Sequence, residues 1–218
     1  VLTLSEEGIL PNALLNYLTN IGWSGSDAEV HDKEKLLAEF DLPSISKSSA
    51  RFDINKLYWF NQQHIVMSPP SSLVKVFKTF VEESERFDQS FFEKVIALYV
   101  GRANTLKDMA EKSFFFFQKP SIFDSKARRK FINPQALNIL SEAVSRLQDL
   151  DDWNSQSIEG ELKRIVAEND IAFPMLGQPI RIALSGGTNS PDISQTLNIL
   201  GRNESLDRMC FAAENLRS

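Results

Sequence analysis

The sequence has 218 residues, of which 42% are hydrophobic and 24% are charged. This length and composition predict a globular chain that forms one large domain or two small ones. The 24 Lys and Arg are outnumbered by 29 Asp and Glu, and the resulting formal charge of −5 argues against a non-specific nucleic-acid binder, which usually carries a basic footprint.

Composition also excludes several structural classes. The single cysteine, Cys210, rules out a disulfide framework and a zinc site built on several thiolates. Its neighbours Met209 and Phe211 predict a small buried side chain, and a lone cysteine fits a reducing, cytosolic compartment. The apolar runs are far shorter than the roughly 18 residues of a membrane helix. The first residues, VLTLSEEGILP, include neither Met nor a basic region, so we expect an excised fragment and not a signal peptide.

Apolar residues recur at helical spacing along the first third of the chain. They predict three helices, over residues 11–22, 33–40 and 54–64. Pro11 suits the first turn of the first helix, while Asp32 and Asp53 suit the N-caps of the other two. Short extended pieces are expected near residues 1–4 and 44–46.

The stretch 44–65, SISKSSARFDINKLYWFNQQHI, joins a polar segment to the third of these helices. Its serines, together with Lys47 and Arg51, offer hydroxyl donors and positive charge within eight residues, which suits phosphate oxygens. The alternative is a surface loop whose serines make local turn hydrogen bonds, followed by an ordinary core helix.

The sequence MSPPSS at residues 67–72 marks a first domain boundary. Beyond it, helices are predicted over residues 73–81, 91–99 and 105–117. Four consecutive phenylalanines, residues 114–117, cannot all face one side of the last helix. Either that helix is wedged between two packed neighbours, or the rings form a platform for base stacking.

Positive charge is concentrated in KARRK, residues 126–130, whereas acidic residues crowd elsewhere in the chain. Such a run is either a local basic footprint for a nucleic acid or a solvated loop or helix face.

The last third predicts helices over residues 134–147, 157–166, 179–184, 192–200 and 204–216. Asn133 and Pro134 form a cap and first-turn pair and suggest a second boundary, while Asn203 suits the cap of the final helix. The sequence SGGTNSPDI, residues 185–193, has no lysine after its glycines, so a helix C-cap and a new helix explain it better than a phosphate loop. Alternating strand patterns are almost absent, and the predicted fold class is all-α.

The sequence shows no constellation of residues for catalysis. His31 lies in a polar loop and His64 at a helix end, and neither has a metal-type partner on the same helix face. We expect structural roles for both, with a positive imidazole at His64 mildly favoured by the helix dipole. A Ser with nearby His and acid, an HExxH motif and a dinucleotide fingerprint are all missing from the sequence. We therefore expect that this chain performs no catalysis by itself.

Short motifs spread over the whole chain match one known family in order and spacing. They are Gly8, Leu10, Pro11, Ala13, Leu14, Leu15, Asn16, Tyr17 and Leu18 with Gly22, Trp23 and Ser24; Ser46, Lys47, Ser48, Ala50, Arg51, Phe52 and Asp53 with Lys56, Leu57 and Asn61; Arg102, Thr105 and Leu106; Pro179, Ile180, Arg181, Ala183, Leu184, Ser185 and Gly186; Ser190 and Pro191; and Leu200, Gly201 and Arg202 with Arg208. On these residues the chain resembles the C-terminal portion of bacterial-type glutamyl-tRNA synthetases, from just after their KLSKR loop to the end.

The resemblance implies a small stem-contact domain over residues 1–67 and helical-bundle anticodon-binding domains over residues 68–132 and 133–218. It also implies that the nucleotide-binding fold and both ATP signatures lie upstream. The fragment should then hold no cofactor and be inactive alone, with ATP and Mg²⁺ used by the intact ligase. The expected partner is tRNA, specific for glutamate and with glutamine tRNA left open. The resemblance further implies a cytoplasmic monomer that does not bind a membrane.

The same resemblance nominates six cations for tRNA binding: Lys47, Arg51, Lys56, Arg102, Lys107 and Arg181. The first three would contact the tRNA backbone near the inner corner of the L, because their charges neutralise phosphates without reading sequence. Arg102 would help distinguish the last anticodon base of glutamate and glutamine tRNAs. Arg181 has an alternative role, shared with Arg202 and Arg208, as an ion-pair partner that holds the last bundle together. A helical protein-interaction scaffold without RNA binding is the alternative for the whole chain.

Overall fold

The computed structural model describes residues 2–23, 29–46 and 51–216. Within these ranges the chain forms thirteen α-helices and three short 3-10 turns, and the β pairing there is an isolated bridge between Trp23 and Ile45. The all-α prediction is confirmed, and the extended piece expected at residues 44–46 takes the form of this bridge. Residues 2–6 are helical, so the extended piece expected near residues 1–4 was wrong there. That short helix is closed by Gly8, whose φ of 77° only glycine adopts at little cost.

The chain divides into two compact units, Val1–Lys112 and Ser113–Ser218, which we call the N-terminal and C-terminal units. The three-domain division at residues 67 and 132 stays a prediction.

The described part of the N-terminal unit contains seven α-helices: α1 (Leu2–Glu6), α2 (Pro11–Gly22), α3 (Lys33–Glu39), α4 (Ile54–Met67), α5 (Pro70–Phe77), α6 (Gln89–Tyr99) and α7 (Leu106–Ser113, whose last residue lies past the boundary). Helices α2 and α4 pack together through the fully buried Tyr17, Leu57 and Phe60. Helices α5 and α6 pack through Phe77 and Phe92, whose ring centroids lie 6.1 Å apart. Burial of such large apolar side chains is the main stabilising contribution to both pairs.

The predicted caps at Asp32 and Asp53 are confirmed. The Asp32 side chain accepts a hydrogen bond from the backbone N–H of Lys35 at 2.7 Å, and Asp53 accepts from the N–H groups of Asn55 and Lys56 at 2.9 and 3.3 Å. Each carboxylate satisfies amide donors that a helix start leaves without partners.

The buried Asn61 of α4 ties three segments of the N-terminal unit together. Its Oδ1 accepts a hydrogen bond from the N–H of Leu10 at 2.7 Å, and its Nδ2 donates to the carbonyl oxygen of Asn104 at 2.7 Å. Gly8 lies so close to the start of α7 that a Cβ on it would be 2.7 Å from the backbone nitrogen of Lys107. This arrangement fixes the start of α7 against α4 and the α1–α2 turn.

Up to residue 216, the C-terminal unit contains six α-helices: α8 (Ser125–Phe131), α9 (Pro134–Gln148), α10 (Ser155–Glu168), α11 (Phe173–Ser185), α12 (Ile193–Leu200) and α13 (Arg202–Asn215). Their inward faces share one apolar core, in which Leu140, Leu162, Ile180 and Met209 are almost fully buried. Asn133 caps α9 as predicted, accepting from the N–H of Ala136 at 2.8 Å.

Three local predictions in the C-terminal unit were wrong. Pro179 lies inside α11 and does not open a helix, because α11 already begins at Phe173 and has another proline, Pro174, in its first turn. The final helix begins after Gly201 and not after Asn203. Cys210 is exposed, because α13 turns Met209 and Ala213 inward and leaves Cys210 on the opposite face.

The phenylalanine run leaves the predicted helix after Ser113 and continues as a 3-10 turn, Phe114–Phe116. Phe115 and Phe116 are buried with stacked rings 4.5 Å apart, whereas Phe114 is 47% exposed. The two buried rings are therefore packing residues and offer no platform to a base.

Candidate nucleic-acid interface

The start of α4 is fixed by α2. The backbone N–H of Asp53 donates to the Tyr17 hydroxyl at 2.6 Å. One turn into the helix, the Lys56 ammonium donates to Asn20 Oδ1 at 2.7 Å and lies 3.4 Å from a carboxylate oxygen of Glu29. The Lys56 side chain is half-buried, and its ammonium already has polar partners in the protein.

Arg51 lies two residues before this cap, with an exposed side chain. Among the described residues its guanidinium has no hydrogen-bond or ion-pair partner, so its charge is available to solvent. Lys47 lies outside the described residues, as do Ser48 and Ser49. The backbone N–H of Ser46 donates to the carbonyl oxygen of Gly22 at 2.9 Å, which holds the beginning of this polar stretch against the end of α2.

Arg102 lies in the tight turn between α6 and α7, which Gly101 makes possible with a φ of 78°. The Arg102 N–H donates to the carbonyl oxygen of Tyr99 at 2.9 Å, and its own carbonyl oxygen accepts from the Lys112 ammonium at 2.9 Å. The backbone is thus held on both sides while the side chain is exposed, and within the described ranges its guanidinium has no partner. Burial raises the pKa of Tyr99 beside it, so that hydroxyl stays neutral and donates to the Lys112 carbonyl oxygen at 2.8 Å.

Lys107, one residue into α7, pairs with Glu7 at 2.8 Å. The hydrogen bond and charge of Glu7 raise the pKa of Lys107, which stays protonated at neutral pH. Its side chain is 41% exposed, so its charge is partly compensated but still reachable from solvent.

Arg181 on α11 is turned toward the segment before α12. Its Nη1 donates to the Ser190 hydroxyl at 2.7 Å, to the Pro191 carbonyl oxygen at 2.6 Å and to the Ser190 carbonyl oxygen. Burial acts to raise the pKa of Asp192, but hydrogen bonds from Ser194 and Gln195 and the charge of Arg181 outweigh it, so this pKa lies below its usual value. Arg181 therefore shapes the turn that precedes α12.

The guanidinium groups of Arg202 and Arg208 also bind groups within the protein. The Arg208 guanidinium is buried, pairs with Glu204 at 2.6 Å and donates to the carbonyl oxygens of Phe115 and Leu184 at 2.6 and 2.9 Å. Arg202 donates to the Leu150 carbonyl oxygen and lies 5.5 Å from the Trp153 ring centroid. These contacts match the alternative in which both arginines hold the last bundle together.

The basic run forms most of helix α8. The Asp124 side chain caps this helix by accepting from the N–H of Ala127 at 2.6 Å, and Ala127 is buried. Lys126, Arg129 and Lys130 are exposed and Arg128 is half-buried.

Both histidines contact Asn16. His64 Nε2 lies 3.0 Å from Asn16 Oδ1, which also accepts from the backbone N–H of His31 at 2.9 Å. Burial lowers the pKa of His64, so the structure favours a neutral ring and not the positive imidazole that the helix dipole suggested. The part of the chain that the structure describes contains no group of three or more His, Cys, Asp or Glu that could hold a metal ion. It also has no helix with the length and apolarity needed to cross a bilayer.

Comparison with known proteins assigns this chain to a family. A family model described as "Anticodon binding domain" matches residues 72–213, which include Arg102, Arg181 and all of α8. The chain belongs to the anticodon-binding domain family.

Individual relatives of this domain carry a consistent name. Glutamate–tRNA ligase 1 of Coxiella burnetii strain CbuK_Q154 is 36% identical over 97% of this chain and 46% of its own length. Glutamate–tRNA ligase 2 of Halorhodospira halophila is 36% identical over 100% of the chain and 46% of its own length. A crystal structure of a glutamate tRNA ligase from Elizabethkingia meningosepticum, in complex with its amino acid, matches with a TM-score of 0.90 at 29% identity, over 98% of this chain and 43% of that one. The chain thus spans about half the length of the relatives it matches, and the resemblance drawn from the motifs is confirmed.

Sequence reasoning nominated cations by motif and could not tell which of them are engaged within the protein. It named Ser190 and Pro191 as motif residues without identifying their carbonyl oxygens as partners of Arg181. It also missed Arg146, which pairs with Glu161 at 2.6 Å and with Glu142 at 3.2 Å. Glu142 and Arg146 are four residues apart, an i,i+4 pair that the sequence could have shown, but Glu161 lies on another helix and gave no signal.

Proposed function

We propose that this chain is the tRNA-recognising part of a glutamate–tRNA ligase, which attaches glutamate to its tRNA at the expense of ATP. The observation that carries the proposal is the match to the anticodon-binding family over residues 72–213, within a chain that aligns along 97% of its length with a glutamate–tRNA ligase. The ATP and Mg²⁺ of that reaction would bind to a part of the ligase outside the matched region. The family match favours this function over a protein-interaction scaffold.

The nominated cations would serve in two ways. Arg51 and Arg102 have exposed guanidinium groups with no partner among the described residues, and they are ready to bind RNA directly. Lys56 and Lys107 are held by Glu29 and Glu7, so a phosphate would have to compete with a carboxylate for each ammonium. Lys47, four residues before Arg51 in the sequence, would add to the positive charge of this segment.

Arg102 is suited to reading an unpaired base. A planar guanidinium on an immobilised backbone offers a fork of donors in a defined direction, and the edges of an unpaired base can accept two of them. The hydrogen bonds of its backbone to Tyr99 and Lys112 supply the immobilised backbone.

Binding of the 218-residue chain to three tRNAs tests this proposal. Fluorescence anisotropy with glutamate, glutamine and unrelated tRNAs should show tighter binding of the first, with log Kd rising steeply with log salt concentration. Equal binding of all three at every salt concentration, or no binding at low salt, would contradict the proposal.

The role of Arg102 is tested by Arg102→Gln in the same assay. This variant should reduce the difference in affinity between glutamate and glutamine tRNAs. The matched control is Arg86→Gln, which removes the same charge from an exposed arginine of the same unit that pairs with Glu83. If Arg102→Gln leaves the difference unchanged, the Arg102 assignment is wrong.

A further inference from the structure

Helix α8 carries four cations within its seven residues. Across the described ranges, the side chains of Lys126, Arg128, Arg129 and Lys130 make no ion pair or hydrogen bond with the protein. The Lys130 ammonium lies 5.0 Å from the centroid of the neighbouring Phe131 ring. Lys126, Arg129 and Lys130 are exposed and lie three or four residues apart, on one side of the helix. We call these three side chains the cationic face of α8.

These four positive charges contribute little to the stability of helix α8. Positive charge in its last turn is favoured by the helix dipole, which accounts for Arg129 and Lys130. Lys126 lies in the first turn, where the dipole disfavours a cation, and it is four residues from the like charge of Lys130, a spacing that destabilises a helix. A role in the stability of the helix therefore does not explain the whole cluster.

The backbone beneath the cationic face is firmly placed. The N–H of Asp124 donates to the carbonyl oxygen of Gly186 at 2.7 Å, and Ala127 is buried in the core of the C-terminal unit. Gly186, with a φ of 79°, ends α11 five residues after Arg181 and has no room for a Cβ, which would lie 2.8 Å from the Ile122 carbonyl oxygen. The exposed cations therefore extend from a rigid base that is attached to the end of the helix carrying Arg181.

We propose that the cationic face of α8 binds the sugar–phosphate backbone of RNA. The proposal rests on the tRNA-binding function and adds to it a site that the motif resemblance did not include. Lysine and arginine bind phosphates mainly by displacing condensed counterions, and arginine adds a bidentate fork to two phosphate oxygens. Because these contacts carry no sequence information, the face adds affinity and orientation to recognition that is made elsewhere.

The test is the salt dependence of tRNA binding in the 218-residue chain with two charges removed. The double variant Lys126→Gln, Arg129→Gln is compared with Lys163→Gln, Arg164→Gln, which removes the same charge from exposed cations that pair with Glu159 and Glu161 on α10. Thermal unfolding of each variant checks that the fold is retained.

The α8 variant should bind glutamate tRNA about tenfold more weakly at roughly 0.1 M salt and show a salt slope smaller by about two, near one per lost phosphate contact. It should lose affinity by the same factor for glutamine and unrelated tRNAs, since the contact does not read sequence. The α10 control should retain the wild-type slope.

The outcomes separate the two proposals. If the wild-type chain prefers glutamate tRNA and the α8 variant has the same slope as the α10 control, the cationic face is not an RNA site, while the proposed function stands. If the wild-type chain does not bind tRNA at low salt, both proposals are wrong. Hydroxyl-radical footprinting of the bound tRNA adds an independent measurement. One stretch of the tRNA backbone that the wild-type chain protects should lose its protection in the complex with the α8 variant.

Discussion

Two sets of cations in the C-terminal unit belong to the same bundle and differ in what surrounds them. Arg208 is 3% exposed and divides its donors between Glu204 and two backbone carbonyl oxygens. Arg146 bridges carboxylates of α9 and α10. The hydrogen bonds that its guanidinium donates to them, above all the one to Glu168, raise the pKa of Arg146. The cations of α8 have no such partners within the described residues. The difference shows that partners, and not the number of charges, separate structural cations from those available to a ligand.

The N-terminal unit repeats the contrast on a smaller scale. Lys56 and Lys107 pair with Glu29 and Glu7, whereas Arg51 and Arg102 extend into solvent. We therefore expect substitutions of the paired cations to affect stability first, and substitutions of the unpaired cations to affect RNA binding first.

The largest expected effect is that of Arg208→Met. This variant leaves the carbonyl oxygens of Phe115 and Leu184 without their buried donor, and breaking a buried, hydrogen-bonded ion pair typically costs about 3 kcal/mol. Urea unfolding should show a lower midpoint with an unchanged slope. Arg129→Met on α8 is the matched control, and equal stability of the two variants would remove the distinction between the two sets.

A smaller effect is expected for Arg181→Lys, which keeps the charge but loses the guanidinium Nη1 that binds the turn at Ser190 and Pro191. The loss of these hydrogen bonds should reduce stability by about 1–2 kcal/mol. If Arg181 positions the turn, tRNA affinity should fall while the salt slope stays the same, because the charge remains. A lysine variant with wild-type affinity would show that this turn is not part of the interface.

Much of the fold was readable from the sequence because its signals are local. The aspartate and asparagine caps and the 3.6-residue apolar period fixed most helices to within a few residues. The prediction that Pro179 opens a helix was wrong because two prolines lie in this stretch, and it is Pro174 that occupies the first turn of α11. The prediction that Cys210 is buried was wrong because it was based on the apolar neighbours in the sequence, whereas the position of Cys210 on α13 turns it outward.

The candidate site was harder to predict from the sequence, because the contacts of its residues are not local. The motif resemblance found Arg51, Arg102 and Arg181 alike, but their partners lie at distances along the chain that no local pattern reports. The hydrogen bonds of Arg181 to Ser190 and Pro191 and the pairing of Lys107 with Glu7, one hundred residues away, appear only when the chain is folded. Lys47 lies outside the described residues, so its role stays a prediction.

A third prediction concerns how the free energy of unfolding depends on pH. The effect comes from one side chain, His64, which takes up a single proton. The folded state lowers the pKa of His64, so below about pH 6.5 the unfolded chain binds a proton that the folded chain resists. The free energy of unfolding should therefore fall as the pH decreases from 7, by at most about 1.4 kcal/mol per pH unit, until the folded state also takes up the proton. His64→Gln keeps a donor for Asn16 and should remove this part of the pH dependence. An unchanged profile in that variant would assign the effect to other groups.

The smallest expected effects on stability are those of Arg51→Gln and Arg102→Gln. Both side chains are exposed, so each change should alter the free energy of unfolding by less than about 0.5 kcal/mol. Each should nevertheless reduce the salt slope of tRNA binding by about one. A loss of stability above 1 kcal/mol in either variant would show that the guanidinium has a structural partner.

Amine modification followed by mass spectrometry, with and without glutamate tRNA, tests most directly whether the unpaired cations form the interface. It compares lysines within one protein, in one sample and without mutation. The tRNA should protect Lys126 and Lys130 of α8 from modification, while Lys163, which pairs with Glu159 at 2.6 Å on α10, should keep its reactivity. Equal protection of all three lysines, or unchanged reactivity of Lys126 and Lys130 in a sample where the tRNA is bound, would contradict the account.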